Sequence, residues 1–138
     1  LKDVCKKQAY LTVTNAAHRE SLVRLLTSDH KLAVEELRRL PPAEAVPHLH
    51  RICRFCRRRG AVEDEVHVLV ECEDGRLVAR REEFYTYVRA SLYPDLDRIQ
   101  FRMSSSMKFL HFLLSRDKLA PSVAEYVHDV FALVDEVP

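Results

Sequence analysis

Three cysteines and a histidine carry the clearest chemistry in the chain. The stretch RICRFCRRRGAVEDEVHVLVEC sets Cys53, Cys56, His67 and Cys72 in the pattern Cys-x2-Cys-x10-His-x4-Cys. Zinc takes four such donors in a tetrahedron, thiolate sulfur at about 2.3 Å and imidazole nitrogen at about 2.0–2.1 Å. A two-residue gap lets both thiolates of a tight turn aim at one ion. The expected cofactor is therefore a structural Zn2+ on Cys53, Cys56, His67 and Cys72. His48 and His50 stand just before the cysteines and are rival ligands. His67 is preferred because otherwise Cys72 would return to the ion alone. The bland alternative is a pair of ordinary thiols followed by a helical His and Cys.

Arginine is the second signal. Arg51, Arg54, Arg57, Arg58 and Arg59 surround the cysteine pair. Guanidinium groups on a metal-tied turn suit phosphate oxygens. Phe55, between the cysteines, could stack on an unpaired base. The competing reading pairs these arginines with Glu63, Asp64, Glu65, Glu71 and Glu73 and packs Phe55 on the following helix. A three-thiolate zinc site is also formally −1, and nearby arginines would stabilise it. No catalytic constellation stands beside them: no glycine-rich phosphate loop, G-x-S-x-G or H-E-x-x-H. Four protein donors leave no open position for a reactive water. The expectation is a protein that is not an enzyme.

The elements that position these residues read as helices. Leu22, Val23, Leu25 and Leu26 predict an amphipathic helix over 16–27, with Asn15 as its cap. Leu32, Ala33, Leu37 and Leu40 predict a second one, started by Asp29 and stopped by Pro41 and Pro42. Residues 41–49 form a proline-rich connector, and residues 1–15, with a lone Cys5, form a short helix or an arm. Glu63, Asp64 and Glu65 open a helix through about Glu71, with Val66, Leu69 and Val70 inward. His67 and Cys72 then lie about 140° apart round an ideal helix, so the helix must end or distort before Cys72. Leu77, Arg81, Phe84, Val88 and Leu92 predict a long helix ending at Pro94, with Tyr85, Tyr87 and Tyr93 beside it. Arg81 is expected at the edge of that stripe, or with its stem along apolar surface and its charge in water. Residues 95–103 read as a linker. Ser104 to Ser106 cap a helix burying Met107, Leu110, Leu113 and Leu114. Val123, Val127, Val130 and Val134 mark a last, core helix.

Together these give an all-α fold of about six short helices stabilised by the Cys-Cys-His-Cys zinc site. The 138 residues suit a single helical domain over 1–138. Two glycines and no tryptophan argue against glycine-rich β architectures. Net charge is only +1, so any basic footprint must be local. The cysteine spacing favours a metal set over long-loop disulfides, hence a reducing compartment, nuclear or cytoplasmic. No signal peptide or membrane-length apolar run is visible, so no membrane partner is expected. Leu1 in place of a starting Met reads as an excised piece of something longer.

The order HRESLVRLLTSDHKLAVEELR, prolines, RICRFCRRRGAVEDEVHVLVEC, a helix and PSVAEYVHDVFALVD resembles a known family. It is similar to the C-terminal region of reverse-transcriptase proteins of fungal, mushroom-type retroelements lacking long terminal repeats, over most of residues 16 to 136. The most specific part is C-R-F-C followed by E-D-E-V-H-x-L-x-E-C. The resemblance implies zinc on Cys53, Cys56, His67 and Cys72, and a motif that helps hold template RNA or target DNA. The polymerase core and any nuclease are absent from this chain, so no activity transfers. The gap between Cys56 and His67 is much longer than in retroviral-type knuckles, a departure from nucleocapsid-like base binding. The expected function is a non-catalytic, zinc-stabilised nucleic-acid-binding accessory domain, with no small-molecule substrate. The rival is a structural or protein-interaction module in which zinc only clips the fold.

Overall fold

The first helix starts where a side chain can stand in for a missing carbonyl. In the computed structural model, which describes residues 12–32, 35, 40 and 51–137, Asn15 accepts from the His18 amide at 3.0 Å and opens α1, Ala16–Leu26. This is the cap role expected of it. The helix closes through Ser28, at φ 57°. The Ser28 amide donates to Leu25 O at 3.2 Å and the Asp29 amide to Arg24 O at 2.8 Å. That pair of bonds is the closure a left-handed residue after a helix allows. The expected N-terminal arm with Cys5, most of the second helix, the proline connector and the rival ligands His48 and His50 lie outside the described residues.

Asp74 caps α2, Gly75–Ser91, by accepting from the Arg76 amide at 3.0 Å. Pro94 follows soon after its end, as expected. Next come α3, Leu96–Arg102, and α4, Ser106–Ser115, the latter capped by Ser105. A 3-10 turn, Asp117–Leu119, leads into α5, Ala120–Glu136. The fold is helical, and among the described residues the sole β pairing is an isolated bridge between Ile52 and Val62.

The valine stripe of α5 makes it the centre of the molecule. Val123, Val127, Val130 and Val134 are buried, and α1, α2 and α4 all pack on this helix. The Phe84 and Tyr126 rings stack at 4.9 Å between α2 and α5. Ser21 Oγ meets His128 Nδ1 at 3.0 Å between α1 and α5. Each fully buried aliphatic or aromatic side chain contributes about 1.5–3 kcal/mol, so this apolar seam holds the bundle.

Three expectations are corrected. Residues 95–103 are not a linker, since α3 occupies most of them; it buries a single residue, Leu96, too little for a visible period. Met107 does not face in: it is 55% exposed, and Phe109 takes the buried position. The segment MKFLHFLL is apolar on several sides, so its phase is ambiguous from periodicity alone. Arg81 does not hold its charge in water; only 7% of it is exposed. The reason lies at the candidate site.

Candidate metal centre

The cysteine pair sits at the base of a narrow loop. The Ile52–Val62 bridge closes it, with Cys53 N donating to Ala61 O at 2.9 Å and Glu63 N to Arg51 O at 2.7 Å. Inside it the chain turns twice. Arg57 N donates to Cys53 O at 2.9 Å, and Arg57 itself has φ 50°. Ala61 N donates to Arg58 O at 3.0 Å around Gly60, at φ 84°. A turn with a left-handed residue at its third position needs glycine there, which explains one of the chain's two glycines.

His67 and Cys72 come from the other side. Asp64 opens the helical segment 65–71, its side chain accepting from the His67 amide at 2.8 Å. The stretch His67–Glu71 is a π turn, closed by a bond from the Cys72 amide to His67 O at 2.6 Å. This is the distortion the sequence required. A wider turn with an i→i+5 bond brings residues five apart onto one side. Cys72 then leaves in extended backbone, and residues 72–74 separate the turn from α2, which already begins at Gly75.

The four side chains meet. Cys53, Cys56, His67 and Cys72 form a group that could hold a metal ion, with all ligand atoms within 4.8 Å of one another. Cys53 Sγ and Cys72 Sγ are 3.9 Å apart, and Cys56 Sγ and His67 Nε2 are 3.4 Å apart. A disulfide needs about 2.05 Å, so these are free thiols. Around one tetrahedral zinc, sulfurs would stand about 3.8 Å apart and a sulfur and a nitrogen about 3.5 Å apart. The donor set therefore fits such an ion. His67 turns Nε2 inward, and its Nδ1 lies 3.9 Å from Glu71 Oε1.

Burial sets the protonation of the metal-free residues. Desolvation pushes the Cys53 thiol up to about 12 and also raises Cys72. The same effect lowers His67 and keeps its imidazole neutral, as a metal ligand must be. Burial raises Asp64 as well, against the amide bond that favours its carboxylate.

Arg81 explains how the π turn can end inside the protein. Its guanidinium donates to Val68 O at 3.1 Å, Leu69 O at 2.9 Å and Cys72 O at 2.9 Å. A helix end leaves such carbonyls open, and buried ones must be paired. Tyr126 adds its hydroxyl to Leu69 O at 2.7 Å, so α5 also grips the turn. Nothing in the sequence marks Arg81 beyond its place in an apolar stripe.

The predicted nucleic-acid contacts divide. Arg54 turns inward and spends all five of its donors. It pairs with the wholly buried Glu63 through Nε at 2.8 Å and Nη2 at 3.0 Å. Its remaining donors reach Lys31 O at 2.8 Å, Val137 O at 3.1 Å and Val134 O at 3.2 Å. A guanidinium has five N–H donors, so none remains for phosphate. Phe55 is 6% exposed, under the Arg76 guanidinium at 5.5 Å, and cannot stack on a base as it stands. Both placements follow the competing reading. Arg51 is half-buried, while Arg57, Arg58 and Arg59 are exposed. Arg58 lies 3.5 Å from Glu73 at the surface.

A second group, His30, Glu35 and Glu65, also brings its ligand atoms within 4.8 Å. Here His30 Nδ1 accepts from the Leu32 amide at 3.3 Å, which leaves the ring proton on Nε2, facing Glu65 Oε1 at 2.9 Å. A metal on Nε2 would force a proton onto Nδ1, against that amide. The group reads as a hydrogen-bonded tie between the segment after α1 and the start of the helical segment 65–71. Burial opposes ionisation of Glu65, yet the His30 bond helps carry its carboxyl below the ordinary value.

No protein-family model, curated protein or solved structure matches the chain.

Proposed function

We propose that Cys53, Cys56, His67 and Cys72 hold one structural Zn2+, and that the chain is a non-catalytic module binding RNA or DNA. On this reading it is the accessory domain of a retroelement reverse transcriptase that its motif resembles, working in a reducing compartment. The metal would tie the 51–63 loop to the π turn. Its four donors complete a tetrahedron, which suits a structural ion.

The observation that carries the nucleic-acid reading is Arg57. Its backbone is left-handed, a conformation that costs a non-glycine residue roughly 1–2 kcal/mol. Glycine would suit the position, yet an exposed arginine stands there beside Arg58 and Arg59. Strain kept at a surface loop points to a use for the side chain. Three adjacent guanidiniums on a rigid turn suit a phosphate backbone.

The second reading is a protein-interaction module that zinc merely clips. The internal use of Arg54 and Phe55 favours it, since it removes two of the six expected contacts, among them the one ring expected to stack on a base. Salt separates the two. Binding through the three loop arginines should weaken with log salt at a slope of about −2 for single strands and about −2.7 for duplex. Arg57→Glu with Arg58→Glu and Arg59→Glu should remove that share of the salt slope and leave the helical circular-dichroism signal unchanged. Salt-independent, weak retention of oligonucleotides by the parent chain would favour the interaction module.

A further inference from the structure

Phe55 is buried, but another aromatic is not. Phe101 on α3 is 90% exposed. Leu96 anchors this helix in the core, and Ile99 and Gln100 are half-buried. Arg98, Phe101 and Arg102 lie at i, i+3 and i+4, so they are neighbours on its outer face. Both arginines are exposed, and neither pairs with a carboxylate among the described residues. The acid of the first turn, Asp97, is held by Arg89 Nη1 at 2.9 Å. Lys108 and Met107 are exposed at the start of α4. From Arg98 to Arg116 the sequence has four basic residues and no acidic one.

We infer that the outer face of α3 is a docking surface for single-stranded nucleic acid, with one unpaired base on Phe101 and flanking phosphates on Arg98 and Arg102. This rests on the reading that the chain binds nucleic acid and extends it to a surface outside the zinc loop. An exposed ring with two exposed arginines on the same side of the helix suits the alternation of base and phosphate along a strand. Base–aromatic stacking is sequence-tolerant and needs an unstacked base, so a duplex is a poor occupant. The positive charge around the ring supplies the complementarity. An anionic membrane would meet the same charge. The face offers it a single ring on a helix of seven residues, where membrane anchoring uses a broad apolar stripe.

The chain has no tryptophan, so Phe101→Trp places a unique indole, excited apart from the tyrosines, at the contact. Titration with a single-stranded oligothymidylate at low salt should quench the new indole to saturation, and a duplex of equal length should quench it far less. Phe101→Ala should weaken oligothymidylate binding about 10-fold with the salt slope unchanged. Arg98→Glu with Arg102→Glu should flatten that slope by about 1.4. Quenching that survives reversal of Arg57, Arg58 and Arg59 would support this surface independently of the loop. Oligonucleotide binding that depends on those three arginines, but leaves the indole unquenched, overturns this inference alone. No oligonucleotide binding by the parent chain overturns it together with the reading beneath it. An indole that shifts to the blue on phosphatidylserine vesicles and ignores the oligonucleotide overturns it in favour of a membrane.

Discussion

Arg81 and the thiols behave as their surroundings dictate, and both can be tested by substitution or pH. Arg81→Met keeps the bulk but strands the Val68 and Cys72 carbonyls; Leu69 O retains the Tyr126 hydroxyl. Unpaired buried acceptors cost about 1–3 kcal/mol each, so thermal unfolding should fall by on the order of 10 °C. Arg81→Lys should recover only part of this, because one ammonium cannot span three carbonyls as a planar fork does. For the thiols, sign depends on the metal. In the metal-free fold Cys53 and Cys72 have raised values, Cys53 to about 12. Their contribution is present below the ordinary thiol range and is lost as pH rises through the raised values. With zinc the dependence reverses: each thiolate ligand must shed a proton, so affinity falls as pH falls. Zinc titration calorimetry near pH 7, in buffers of different ionisation enthalpy, should report about three protons released per ion. Uptake or no release would contradict thiolate ligation. The candidate ligand group was legible because donor type and spacing are written in the chain. Which arginines turn inward was not: Arg54 and Arg57 carry the same charge three residues apart, and only the hairpin that brings Glu63 beneath Arg54 separates them.

The elements around the site carry two local costs that act in opposite directions. Gly60 sits at φ 84° with nothing within 4 Å of the position of a Cβ. Gly60→Ala would therefore meet only backbone strain, and chemical denaturation should show a loss of about 1 kcal/mol. Arg57→Gly removes strain of the same kind. It should keep or slightly raise stability while weakening nucleic-acid binding, a split that a purely structural loop residue would not give. Equal losses in both would count against the functional reading of that turn. The π turn was foreseeable as a need, since His67 and Cys72 could not share a face of a regular helix. Its form was not, because the wide turn depends on Arg81 and Tyr126, contributed by α2 and α5, closing its open end. The helix α3 escaped notice because a short helix with one buried residue has no period to detect.

At the scale of the whole molecule, the helical class follows from composition and the apolar stripes, and α5 was recognisable as core from its valines alone. Tertiary ties were not recognisable: Arg54 reaches Val134 O and Val137 O, more than seventy residues away in sequence. Through that arginine the 51–63 loop and the end of α5 form one unit with the buried Glu63. Metal loss should then be felt by the bundle as well as by the loop, since structural zinc contributes folding energy outright. The most direct test is the metal content of freshly purified, reduced protein, measured by elemental analysis beside Cys53→Ser and His67→Ala. The account requires one zinc per chain, lost in both variants together with helical signal. Reduced protein that holds no zinc yet keeps its full helical content would contradict it.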